Sequence, residues 1–180
     1  MAEDKQCDSR RKVVIACDGS EHSERALDVY LDNMVKPDDH VILYHAFECP
    51  SLPVAPYPYG FSYYEDWSEF TKQAEKEATE ILQMAGSKCT HKLKEMFPKE
   101  DEAKPELQLI RENGKAGEVI CGFCQDVKPA MLIMGSRGQG TLRRTLLGSV
   151  SDYCIHHTNI PVLVVPPPHS ENSTCQEKQD

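Results

Sequence analysis

Apolar residues along the chain fall into two rhythms: short unbroken runs, and longer stretches with helical spacing. The first run, residues 11–17, contains Val13, Val14 and Ile15 and ends at Asp18, Gly19 and Ser20. β-Branched residues suit a strand, and the Asp-Gly-Ser cluster suits a sharp turn. Ser20 is placed to cap a helix, with Glu21 and Glu24 in its electropositive first turn. Leu27, Tyr30, Leu31 and Met34 then recur at helical spacing until Pro37 stops them. Residues 39–47 form a second apolar strand.

Residues 48–66 break both rhythms. Pro50, Pro53, Pro56 and Pro58 lie among aromatics, and proline at this density excludes regular structure. Loops this long in compact domains are functional or mobile, so three readings stay open: a cover over a ligand, a partner contact, or a self-packed surface loop. Trp67, Phe70, Ala74, Ala78, Ile81, Leu82 and Ala85 mark a long amphipathic helix. Residues 86–105, rich in Lys and Glu with Pro98 and Pro105, read as a solvated connector. Residues 106–112 partly alternate, as suits a sheet edge. Asn113 and Gly114 turn the chain into a helix carrying Val119, Ile120, Phe123 and Val127, which Pro129 follows. An uncharged strand spans 130–135, a helix carries Val150, Tyr153 and Cys154, and a last strand spans 160–165 before Pro166, Pro167 and Pro168.

Strands that alternate with helices and are apolar throughout imply an α/β fold, a parallel sheet covered on both faces. Five strands and four helices make one doubly wound domain over 11–166, with a flexible segment at 1–10 and a disordered tail at 167–180. Ligands of such sheets bind outside the strand C-termini, where the strand order reverses. Asp18, Ala46 and Gly135 stand at three of those ends.

The stretch 131–151 carries the strongest chemical signal. Its apolar run stops at Gly135, Ser136, Arg137 and Gly138; nine residues later come Gly148 and Ser149. Glycine permits backbone angles and close approaches that a Cβ would block. Ser149 reads as a helix N-cap, with Asp152 three residues on in a capping-box-like position. A loop of exposed N–H groups leading into a helix N-terminus is an anion site. The competing reading is a tight strand-to-helix turn without a ligand, but Arg137, Arg143 and Arg144 beside it favour the anion. Arg143 and Arg144 themselves read first as solvated loop and second as phosphate contacts.

Charge and cysteines narrow the field. A net charge of −9 disfavours nucleic acid and anionic membranes, which need basic patches; any phosphate is held locally. No apolar run reaches membrane-spanning length, and the N-terminus lacks an apolar signal segment, so the expectation is a cytoplasmic protein. Eight cysteines are scattered through apolar segments, where a free thiol behaves as a small hydrophobe. Cys121 and Cys124 form a CxxC with redox or metal spacing, but it falls inside a helix rather than at the N-terminus that would activate it. His156 and His157 are adjacent and point apart on a helix. There is no Walker lysine, no paired carboxylate in the loop and no His-x-Gly-His signature, so no catalytic constellation stands out.

The pattern Gly135-x-x-Gly138, nine residues, Gly148-Ser149 resembles the universal stress protein family. Residues 11–20, 41–46 and 161–165 resemble its opening strand, second strand and final strand, so the likeness covers residues 10–166. The resemblance implies a Rossmann-like sheet, of the adenine nucleotide alpha hydrolase-like type, with order 3-2-1-4-5. It also implies homodimerisation through the last strand, residues 161–165. The family divides into members that bind ATP and members that do not; the intact glycine pattern resembles the binders. By position, Asp18 would contact the adenosine with Ala16 and Cys17 beside it, and Ala46 would offer backbone to the adenine edge. Met134, Gly135, Arg137 and Gly138 would line the ribose and first phosphates. Gly148, Ser149, Val150 and Ser151 would hold the outer phosphates. ATP, AMP or ADP is the implied ligand, with Mg2+ or Mn2+ on phosphate oxygens and no protein side-chain ligand. The function so implied is a nucleotide-dependent stress-response or signalling module. The alternatives are a nucleotide-independent interaction scaffold and a slow ATPase.

Overall fold

A computed structural model of the chain describes residues 10–49, 60–98, 103–138 and 147–168. In chain order these form β1 (Arg11–Ala16), α1 (Glu21–Asn33), β2 (Asp39–Phe47), α2 (Gly60–Met96), β3 (Glu106–Asn113), α3 (Ala116–Val127), β4 (Met131–Gly135), α4 (Ser149–His157) and β5 (Val162–Val165). The strands make one parallel sheet in the order β3-β2-β1-β4-β5, the α/β topology expected. Register runs Ala16 to Tyr44 between β1 and β2, and Ile15 to Ile133 between β1 and β4. Strand order therefore reverses at β1, which places the crevice over β1 and β4.

Alternation along each strand divides the core in two. Val13, Ile15, Val41 and Leu43 face α1 and α2, packing with Leu27, Tyr30, Leu31, Leu82, Cys89 and Leu93. Val14, Ile42, Tyr44, Leu132 and Met134 face the other way, onto Ile120, Cys121 and Cys124 of α3 and Cys154 of α4. A period of two along a strand covered on both faces makes every position apolar, which is why these strands read as unbroken runs.

Local signals set most element ends. Ser20 caps α1, its side chain accepting from the Ser23 amide. Two sequence expectations fail. Residues 86–105 are not a solvated connector, because α2 runs unbroken to Met96. Gly86 does not stop it: a Cβ there would meet Leu109 of β3 at 3.1 Å, so the glycine lets helix and strand approach. The lysines that suggested solvent instead bridge helices, Lys88 to Asp28 at 2.8 Å and Lys92 to Asp32 at 2.7 Å. The expected loop over 48–66 also ends early, since α2 begins at Gly60, beyond the last of the four prolines; residues 50–59 lie outside the described residues, as do 1–9 and 169–180.

At the N-terminal edge of the sheet, Asp39 is fully buried. Its carboxylate accepts from Arg11 Nε at 2.7 Å, Arg11 Nη2 at 2.6 Å, the Tyr30 hydroxyl at 2.7 Å and the Lys36 amide at 2.9 Å. Burial alone would raise its pKa, but the bonds from Arg11 and Tyr30, then that from the Lys36 amide, bring it below the ordinary value. These contacts join β1, α1 and β2 at the edge opposite the crevice.

Candidate functional site

The crevice is built from three strand ends. Beyond β1 the Cys17 amide donates to the Tyr44 carbonyl at 2.8 Å, and the Cys17 carbonyl accepts from His45 Nδ1 at 2.6 Å. A carbonyl can only accept, so Nδ1 carries the proton. The Cys17 thiol points to the Ile15 carbonyl, 3.6 Å away, and is buried; burial, then the charge of Asp18, pushes its pKa up to about 12. Cys17 is thus occupied on every polar atom, and its expected place beside the site is that of a wall.

Asp18 is oriented by the turn it opens. Its Oδ1 accepts from the Ser20 amide at 3.0 Å and the Ser20 hydroxyl at 2.6 Å. Gly19 has φ +76°, the left-handed region that glycine tolerates, and its Cα faces Ile81 of α2. The other carboxylate oxygen, Oδ2, lies 2.7 Å from where a Cβ on Gly138 would be. Residues far apart in sequence are thereby brought into contact, because β1 and β4 are neighbours and both chains turn at the same edge.

On the β4 side, a Cβ on Gly135 would fall 2.7 Å from the backbone of His22 in the first turn of α1. The Ser136 amide donates to the Val165 carbonyl at 2.9 Å, and its carbonyl accepts from the Gly148 amide at 2.6 Å. A Cβ on Gly148 would come within 3.3 Å of Arg137 Cα. These contacts draw the start of α4 onto the loop after β4, bringing Met134, Gly135, Arg137 and Gly138 together with Gly148, Ser149, Val150 and Ser151.

One expectation is corrected here. Ser149 is not the N-cap of α4; it is the first helical residue, and the cap is Gly148, which has no side chain to close the helix. The cap residue therefore supplies no side chain to the first-turn amides. The Ser151 hydroxyl proton is used internally, donated to Gly148 O at 2.9 Å with Ser136 O also at 3.2 Å, which leaves the Ser151 amide as the donor it can offer. Asp152 complements the helix dipole from the first turn. Ser136 Oγ and Arg137 Nε are buried without hydrogen-bond partners among the described residues. Sequence reasoning passed over Ser136 because glycine and arginine flank it; its position at the end of an uncharged strand was the available signal. Arg143 and Arg144 lie outside the described residues.

Ala46 is the last residue but one of β2, on the α3 side of the sheet, and continuing the β1–β2 register by two residues sets it across from Asp18. The CxxC lies within α3 rather than at its N-terminus. Cys121 and Cys124 are buried in α3; burial raises both thiols, Cys124 to about 12 with the charge of Cys121 adding to it. His156 and His157 bond the carbonyls of Asp152 and Tyr153 in their own helix, each at 2.8 Å. A separate groove of about 610 Å³ lies between α2 and β3, lined by Gly86, Ser87, Leu107 and Leu109, at the sheet edge and away from the reversal point.

The model of the Universal stress protein family matches residues 9–166. Universal stress protein PHOS34 of Arabidopsis thaliana is 29% identical over 178 residues, covering 87% of this chain and 62% of that protein. This chain thus spans less than two thirds of that relative's length. The structure of hypothetical protein MJ0577 superposes with a TM-score of 0.69 at 25% identity, covering 89% of this chain and 98% of that one. The Arabidopsis thaliana universal stress protein family protein At3g01520, solved with AMP bound, superposes with a TM-score of 0.55 at 22% identity, covering 86% and 90%.

Proposed function

The chain belongs to the universal stress protein family, and on that premise we propose that it works as an adenine-nucleotide-binding stress-response module. The observation that carries this reading is the meeting of two loops at the sheet's reversal point. Asp18 Oδ2 stands against Gly138, and the first turn of α4 opens beside them without a capping side chain. A carboxylate suits hydroxyls of a ribose or the amino edge of a base, whereas main-chain N–H groups at a helix N-terminus suit phosphate. In this arrangement Asp18 selects the adenosine, with Ala16 and Cys17 as its wall and Ala46 giving backbone to the adenine. Met134, Gly135, Arg137 and Gly138 take the ribose and first phosphates, and Gly148, Ser149, Val150 and Ser151 the outer ones. The likeness to a protein solved with AMP supports the same ligand class. The donors around the loop are amides and an arginine, which suit phosphate and not a bare cation; Mg2+ or Mn2+ would enter on the nucleotide's phosphate oxygens. Hydrolysis on this reading is slow at most.

Calorimetry of the folded protein with ATP and AMP is expected to give binding in the micromolar range that Asp18→Ala and Gly138→Val abolish. No heat from either nucleotide would overturn the proposal. The nucleotide state in turn is proposed to bias self-association through β5. That edge strand keeps Val162, Leu163 and Val164 only half-buried, and unpaired apolar edges are pairing surfaces. Light scattering is expected to show a dimer; monomer alone at high concentration would refute it.

A further inference from the structure

Ser136 Oγ and Arg137 Nε, on adjacent residues, are buried and find no hydrogen-bond partner among the described residues. Ser136 is 3% exposed. Buried hydroxyls are nearly always paired, and one left unpaired destabilises the fold that holds it. Nor can the backbone turn to find a partner. The Ser136 amide is held by the Val165 carbonyl, and its carbonyl is bonded by the Gly148 amide and the Ser151 hydroxyl. Only rotation about χ1 remains.

Strand alternation says where that hydroxyl stands. Leu132 and Met134 lie in the core beneath α3 and α4, while Gly135 meets His22 of α1 on the other face. The period of two then puts Ser136 on the face of α4, beside the first turn that no side chain caps. The Gly148 amide reaches the Ser136 carbonyl and a Cβ on Gly148 would lie 3.3 Å from Arg137 Cα, so the residues that carry this hydroxyl and this guanidinium N–H adjoin the start of α4, and all three kinds of group can donate.

We propose that the Ser136 hydroxyl is a phosphate-contacting group of this site, donating together with Arg137 Nε to phosphate oxygens of the bound nucleotide. This rests on the nucleotide-binding reading above. Phosphate is favoured over ribose or base because ribose hydroxyls and the adenine amino group need acceptors, and the acceptor at this edge is Asp18, on the β1 side. The proposal adds a hydroxyl donor to a loop otherwise read as amides and an arginine.

The test compares wild type with Ser136→Ala by titration with ATP, AMP and adenosine, and by thermal unfolding without ligand. Ser136→Ala is expected to weaken ATP and AMP about tenfold, a difference of about 1.4 kcal/mol, and to leave adenosine binding unchanged. It removes an unpaired buried hydroxyl, so the ligand-free variant is expected to melt ~2–4 °C higher, the shift that about 1 kcal/mol gives in a chain of this size. A structural hydroxyl would give the opposite pair: lower melting temperature and equal losses for nucleotide and nucleoside. Either that pattern or unchanged ATP affinity in Ser136→Ala overturns the inference while leaving nucleotide binding in place. Wild type that binds no nucleotide overturns both.

Discussion

Replacing Asp39 tests whether the fold is pinned at the edge opposite the site. The carboxylate is 0% exposed and accepts from Arg11 twice, from Tyr30 and from the Lys36 amide. Asp39→Ala removes the acceptor and leaves a guanidinium, a buried phenol and an amide behind. Breaking a buried ion pair from one side costs about 3–5 kcal/mol. The lower end applies here, because Arg11 keeps the Met34 carbonyl at 2.9 Å and its side chain is 24% exposed. A loss near ~3 kcal/mol lowers the melting temperature by roughly 6–12 °C in a chain of this size. Urea unfolding followed by circular dichroism measures it.

The pH dependence carries a second sign. The folded pKa of Asp39 lies below its ordinary value, burial raising it but the Arg11 and Tyr30 bonds outweighing burial. A depressed carboxylate stabilises fully above its unfolded pKa, about 3.9, and that stabilisation is lost as pH falls through the folded pKa. The gap between wild type and Asp39→Asn is therefore expected to be constant from pH 7 to 5 and to close below pH 4. A loss under 1 kcal/mol for Asp39→Ala at pH 7, or a gap that widens in acid, refutes the assignment.

Three further outcomes follow from the site and core. Gly138→Ala would place a Cβ 2.7 Å from Asp18 Oδ2, whose partner oxygen is held by Ser20; nucleotide affinity is expected to fall at least about tenfold, with melting shifted by less than about 4 °C, and full affinity would contradict it. Gly135→Ala meets backbone of His22 at 2.7 Å, which cannot swing aside, so a stability loss of about 1–3 kcal/mol is expected in urea unfolding, with or without nucleotide. With Cys17 and Cys124 raised to about 12 and Cys89, Cys121 and Cys154 buried, a thiol reagent at pH 8 is expected to leave all five unlabelled in the folded protein and to label them in urea; fast native labelling of Cys121 or Cys124 would revive a redox role.

Much of this architecture was legible because each signal had a single physical source. The run 39–47 coincides with β2, since a strand covered on both faces needs apolar residues throughout. Ser20 was readable as a cap because its hydroxyl answers a local amide. The continuation of α2 was not, because Gly86 and the lysines around it carry ordinary loop signals. Their roles lie in other elements, Gly86 against Leu109 and Lys88 and Lys92 against α1. Leu82, Cys89 and Leu93, all buried, keep the helical spacing and were the readable trace. Ser149 misled for the converse reason: a good capping residue one position late, because Gly148 must be the cap to lie against Arg137.

The two edges of the sheet treat polar groups oppositely, and that contrast separates structure from function more sharply than any motif. At the N-terminal edge both oxygens of Asp39 are bonded, Oδ1 to Arg11 and Oδ2 to Arg11, Tyr30 and the Lys36 amide, the condition under which a buried charge can belong to a fold. At the C-terminal edge, Ser136 Oγ and Arg137 Nε have no partners in the described chain, and α4 starts without a side-chain cap. Stability alone would remove such groups, since alanine at 136 and a capping serine at 148 are single substitutions away. Gly148→Ser makes the distinction measurable. Its hydroxyl could cap α4, a gain of a few tenths of a kcal/mol over glycine, though its Cβ must fit within 3.3 Å of Arg137 Cα. Because a cap and a phosphate compete for the same amides, nucleotide affinity is expected to fall at least about tenfold even where urea unfolding shows no loss of stability. A stable Gly148→Ser protein with wild-type affinity would mean that the first turn of α4 does not hold the ligand.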